Sequence, residues 1–147
     1  MDPLASVFAP VRSYAGWALR LTFGITFLFY GINKVTGLGG FAEMMLGGNV
    51  FMAALVAFAE VAAGLGIIVG AFTSSFITRL AGLAIIPVML GAIFMVHLQN
   101  GFHFMAQPND PTGTGGWNFQ FILLGIGLFY LIAGNKDIEG NGSAAAA

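Results

Sequence analysis

The chain has no cysteine. That excludes disulfides, thiolate metal sites, cysteine-ligated iron–sulfur clusters and cysteine redox chemistry within it. Charge is almost as scarce. Five Lys and Arg and six Asp and Glu amount to 7% of 147 residues, where a soluble domain carries about 25%. So few charged side chains cannot clothe a soluble fold of this size. The net charge is −1, and no basic stretch is present to track a phosphate backbone, so nucleic acid is not an expected partner. Two histidines without cysteine or a carboxylate cluster nearby make a weak metal signal.

What remains is apolar. Hydrophobic residues make up 58%, against a usual value of about 45–50%, and the mean hydropathy is +0.89. The sequence predicts an all-α integral membrane protein, with lipid as its first partner. A spanning helix needs about 20 mostly apolar residues, and in lipid only a helix satisfies its own backbone. Four stretches qualify: Ser13 to Asn33, Val50 to Phe72, Thr78 to Leu98 and Trp117 to Gly134. The expected fold is a four-transmembrane-helix bundle over residues 13–134. An interfacial segment, 1–12, precedes it and a polar, disordered tail, 135–147, follows it.

Details follow from local composition. Asp2 before Pro3 fits a helix cap with proline at the first helical position. The first apolar run lies behind Arg12 and is too long for the core of a cleaved signal peptide, so the first helix is expected to remain. Residues 34–49 should carry a short surface helix with Phe41, Met44 and Met45 on one face. Residues 73–77 read as a tight turn and 99–116 as a long loop of turn residues. Pro87 should kink the third helix.

Orientation follows from Lys and Arg. Arg12, Arg79 and Lys136 fall on one side, with Arg20 deeper from that side, and Lys34 alone falls on the other. Both termini are therefore expected in the cytoplasm of an inner-type membrane. Residues 34–49 and 99–116 would face outward. Trp17, Trp117 and Tyr130 lie near predicted helix ends, where aromatic rings favour the interface.

The rare charges fall on particular faces. Glu60 has no other charge from residue 44 to residue 78. At about 100° per residue, Ala53, Ala57, Glu60, Gly64 and Ile67 share a helix face. Small residues mark a face pressed on another helix, so Glu60 should point into the bundle. Arg20, Gly24, Phe27, Gly31 and Lys34 form a similar stripe on the first helix. Arg79 and His97 lie five helical turns apart and are expected on one face with Ile86 and Leu90. Arg20 and Glu60 come out at similar depth. A lone charge at mid-bilayer costs at least about 2.5–3.5 kcal/mol, and an Arg20–Glu60 pair is predicted, structural or functional. At the other end Lys34, His97 and His103 are expected to line a pocket mouth. Such a set suits a quinone headgroup, an anion or a metal, unless the side chains merely reach to lipid headgroups. Arg20-Leu21 and Arg79-Leu80 echo each other, but two shared residues do not establish a repeat.

At these residues the chain resembles the DoxX family of small four-helix membrane proteins. "ALRLTFGITFLFYGINKVTG" looks like the family's first helix, with its Arg, its Gly and Phe residues and its Gly-x-x-Lys end. "AFAEVAAGLGIIVGAFT" is similar to the second, and "TRLAGLAIIPVMLGAIFMVHLQNGF" to the third. The resemblance spans roughly residues 15 to 134. It falls on Arg20, Gly31, Lys34, Glu60, Gly64, Gly66, Arg79, His97, Asn100 and Gly101. Pro87 and the "PNDPTGTGG" loop have no place in the pattern. Gly24, Gly31, Gly64 and Gly66 are read as helix-packing positions. The family includes subunits or partners of membrane redox systems, among them a quinone-linked thiosulfate oxidoreductase, and components of oxidative-stress complexes. The resemblance therefore implies an accessory subunit of a larger membrane redox or electron-transfer complex. It would carry no intrinsic cofactor. Quinone, lipid, or a partner's pigment or haem would lie at an interface. The alternatives are a quinone-linked oxidoreductase component in its own right and, third, a small-solute or proton-coupled transporter.

Overall fold

The computed structural model describes residues 3–138, and every regular element in that range is helical. The expected cap at Asp2 and residues 139–147 lie outside the described residues. Helix α1 (Pro3–Phe8) runs through a 3-10 stretch, Ala9–Tyr14, into α2 (Ala15–Thr36). Then come α3 (Leu38–Leu46), α4 (Val50–Thr73), α5 (Ser75–Gly91) and α6 (Asn118–Ala133). Three stretches are long and apolar enough to cross a membrane: Ala15–Thr36, Val50–Thr73 and Ser75–Asn100. At about 1.5 Å per residue each exceeds the roughly 30 Å hydrocarbon core. α6 is apolar but has 16 residues.

Local chemistry sets the boundaries. The Asn49 side chain accepts from the Met52 amide (3.0 Å) and starts α4. The turn expected at 73–77 shrinks to one residue. Ser74 ends α4 and caps α5, its hydroxyl accepting from the Phe76 amide (3.1 Å). Gly47, at φ 58°, closes α3 in the left-handed conformation that favours glycine. The surface helix expected between residues 34 and 49 is α3. Phe41 and Met45 turn toward the bundle while Met44 is 76% exposed, so the three do not share a face.

The helices pack in chain order: α2 on α4, α4 on α5, α5 on α6. α6 returns to α2 through aromatic rings, Phe23 on Tyr130 (5.7 Å) and Tyr30 on Phe119 (6.3 Å). Phe23, Phe27, Ile67, Ile85, Leu123 and Tyr130 form the core. Outside, Phe51, Phe58, Phe72 and Ile132 are all more than 70% exposed. In water such a surface would aggregate; against lipid tails it is matched to its surroundings.

Glycines fix two close crossings. A Cβ on Gly64 would stand 2.7 Å from the Gly24 carbonyl oxygen and 2.8 Å from the Leu28 amide. A Cβ on Gly82 would stand 2.6 Å from the Gly127 oxygen and 2.7 Å from the Leu131 amide. Gly31 sits against the Val61 amide and Gly66 against the Ala81 methyl, each 2.8 Å from a built Cβ. Small residues here let backbones touch. Ala53, Ala57, Glu60, Gly64 and Ile67 are all buried, the face expected of α4.

The third long helix departs from expectation. Pro87 lies inside α5. Beyond Gly91 the winding widens to a π-helical stretch, Ala92–His97, then tightens to a 3-10 turn, Leu98–Asn100. A π turn takes more residues than an α turn. Counting five α turns from Arg79 therefore mislays His97. The buried face is Thr78, Ala81, Gly82, Ile85 and Met89, while Leu90 is exposed.

Candidate functional site

Two charged clusters occupy opposite ends of the bundle. The one nearer the termini centres on Arg20, which is 0% exposed. Its Nε and Nη2 donate to the Asp137 carboxylate at 2.8 and 2.5 Å. Nη1 donates to the Ile67 carbonyl (2.8 Å) and to Thr78 Oγ1 (3.3 Å). Nη2 also donates to the Gly134 carbonyl (3.2 Å) and Asn135 Oδ1 (3.0 Å). One guanidinium thus ties α2 to α4, α5 and the segment after α6, and it lies 5.1 Å from the centre of the Tyr130 ring. Asn135 adds a bond from its amide nitrogen to the Gly70 carbonyl (2.9 Å). Nearby, Arg79 donates to the Leu131 and Ile132 carbonyls (2.7 and 2.6 Å), closing the end of α6. The tail expected to be disordered from residue 135 is, over 135–138, part of this cluster. Every partner Arg20 needs is present, so the cluster holds the bundle together.

At the other end Lys34 Nζ donates to both Glu60 oxygens, at 3.0 and 2.7 Å. The predicted Arg20–Glu60 pair is therefore incorrect. Helix register gives the reason. Gly24 abuts Gly64, and one turn back along α2 the Arg20 guanidinium reaches the Ile67 carbonyl, seven residues along α4 from Glu60. That is about 10 Å at 1.5 Å per residue. Side-chain lean widens the gap, because helical side chains tilt toward their own N-terminus. Arg20 leans toward the terminal end of the bundle. Glu60, on an antiparallel helix, leans the other way, and Lys34 leans back to meet it.

This second pair borders a cavity of about 610 Å³. Apolar walls come from Phe27, Val56, Met89, Phe119 and Leu123, and polar groups from Lys34, Glu60, His97 and Gln120. The Lys34 ammonium lies over the Tyr30 ring (5.4 Å) and the Phe41 ring (5.2 Å). A volume of this size lies within the roughly 300–1,000 Å³ of small-molecule sites. Lys34 and Glu60 cancel in charge, so an anion would have to displace Glu60 from Lys34. A neutral ligand meets no such competitor.

His97 enters from the π-helical stretch. Its Nδ1 faces the Gly115 carbonyl at 3.0 Å. A carbonyl only accepts, so Nδ1 carries a proton, and in the neutral ring Nε2 is an acceptor. His103, expected at the same pocket, is elsewhere. Its ring nitrogens face the Asn100 and Met105 carbonyls (2.6 and 2.9 Å), and Nε2 lies 3.1 Å from Asp110. It folds the loop over 101–117. Asn100 works beside it, donating to Thr112 Oγ1 and the Gly115 carbonyl, each at 2.6 Å. Phe104, Thr114 and Gly116 of that loop cover the cavity.

Asp137, Asn135, Thr78 and Gln120 escape a reading of sequence alone. The first two sit in a stretch whose composition reads as loose tail. Thr78 looks like a helix start. Gln120 had a usable signal, as an amide inside an apolar helix.

A profile described as DoxX matches residues 16–98. No curated protein and no solved structure matches the chain at a significant level.

Proposed function

Given that the chain belongs to the DoxX family and is an integral membrane protein, we propose that it binds a quinone-class headgroup as a component of a membrane redox system. The carrying observation is the cavity itself, with apolar walls, a charge-neutral Lys34–Glu60 pair and His97 at one end. A ring with a short apolar substituent suits the walls, and its oxygens suit the polar end. The accessory-subunit role implied by the family is compatible with this. A small bundle that holds a redox lipid would serve a larger catalytic partner.

The reading includes a topology. Both termini lie in the cytoplasm of an inner-type membrane, following the excess of Arg12, Arg79 and Lys136 over Lys34. α6 is the fourth span, its 16 residues extended by the folded loop that precedes it. The cavity then opens in the outer half of the membrane.

Two measurements test the proposal. Decylubiquinone is titrated into protein purified in mild detergent. Saturable binding is expected, weakened at least ten-fold by Lys34→Met; absence of binding of both the oxidised and the reduced headgroup to the folded wild type would refute the proposal. Native gels of detergent extracts with mass spectrometry should find the chain migrating with redox subunits. Migration solely as a small oligomer would remove the subunit part.

A further inference from the structure

Resting on the reading that this cavity holds a quinone-class headgroup, we propose that it holds the headgroup in its reduced, hydroxyl-bearing form. Three groups around the cavity have unused acceptor capacity. His97 commits Nδ1 as a donor to the Gly115 carbonyl (3.0 Å). Its Nε2 is left as an acceptor, and no bond to it is formed among the described residues. Gln120 lines the same cavity, and its Oε1 is buried without a partner among the described residues. The Glu60 carboxylate has about four lone-pair positions, of which Lys34 takes two.

The charged donor is already engaged, which leaves the Gln120 side-chain NH2 as the weaker, neutral donor in the lining. Lys34 donates to both Glu60 oxygens, and aromatic rings of Tyr30 and Phe41 flank the ammonium. A quinone brings acceptors only. It would compete with Glu60 for Lys34 and leave His97 Nε2 unpaired in a site walled by Phe and Leu. A quinol brings two O–H donors on a rigid ring, and each finds an acceptor. A site equipped to pair a hydroxyl discriminates strongly against the analogue that lacks it. The same arrangement disfavours anions, since the ion pair leaves no net positive charge.

The test uses the full chain in detergent under anaerobic conditions. Equilibrium dialysis with decylubiquinol and with decylubiquinone gives two Kd values. The quinol should bind at least ten-fold more tightly. The bound couple's midpoint potential should then rise by about 30 mV for each ten-fold preference. His97→Leu should bring the two affinities together by weakening the quinol and sparing the quinone. Should that variant fail gel filtration, the wild-type pair of constants decides by itself. Equal affinities, or a quinone preference, overturn the proposal and leave the binding reading intact. No binding of either form overturns both.

Discussion

Arg20 and Glu60 each found a partner that a helical wheel does not point to. For Arg20 the dependence is severe. Replacing it by Ala removes the ion pair with Asp137, which is 5% exposed in its side chain, and strands that carboxylate. Breaking a buried pair from one side costs about 3–5 kcal/mol, so Arg20→Ala is expected to lower the thermal midpoint in detergent sharply. Arg20→Lys should fare little better, because an ammonium cannot reproduce the fork that reaches Asp137, Ile67 and Gly134 together. At the other end, Lys34→Met strands the buried Glu60 carboxylate, and Glu60→Gln leaves the partly buried Lys34 ammonium without its counter-charge. The double variant should recover much of the loss, with a coupling of about 0.5–3 kcal/mol. Arg20 and Glu60 share no partner, so their Ala variants should add within about 0.5 kcal/mol. Non-additivity there would mean that the clusters communicate. The residue scale also marks what sequence could reveal. Periodicity put Glu60 inside the bundle because small residues flank it. It did not name the partner, because partnership depends on register and lean, which come from glycine contacts between helices. His103 illustrates a second limit: its partners are backbone carbonyls of its own loop, and no pattern of side chains announces those.

Among the elements, the two glycine crossings carry the architecture. Gly82→Ala would drive a methyl into the Gly127 oxygen and the Leu131 amide, atoms that cannot rotate away. Overpacking of this kind costs about 1–3 kcal/mol, and α5 and α6 should separate. Gly125 makes the internal control. Nothing lies within 4 Å of its built Cβ, so Gly125→Ala should be neutral or gain about 0.5–1 kcal/mol from helix propensity. Equal destabilisation by the two substitutions, measured by unfolding in mixed micelles, would refute the crossing. The faint echo of Arg20-Leu21 in Arg79-Leu80 now has a physical counterpart. In each hairpin an arginine on the first helix binds a carbonyl of the second, Ile67 or Leu131, just past a glycine-on-glycine crossing. The helices themselves were legible because lipid leaves the backbone no other option. The π-wound stretch was not, because its residues are as apolar as an α-helix requires. Its cost to the reading was the position of His97.

Across the whole molecule, α2 begins and α6 ends at the Arg20 end, and the cavity lies at the opposite one. Because the chain has no cysteine, a single cysteine at Gly113 reports sidedness cleanly. An impermeant reagent added from outside should label it, and absence of labelling would reverse the orientation. The Arg20 cluster has a further consequence, for biosynthesis. A ribosome makes Arg20 early and Asp137 more than a hundred residues later. Until then the guanidinium sits in a nascent membrane helix without its counter-ion. A stop codon at residue 135 should yield a protein as short-lived in cells as Arg20→Ala. If it does, the last carboxylate to be made is what lets the first buried arginine settle, and only a chain translated through Asp137 holds Arg20 against its counter-ion.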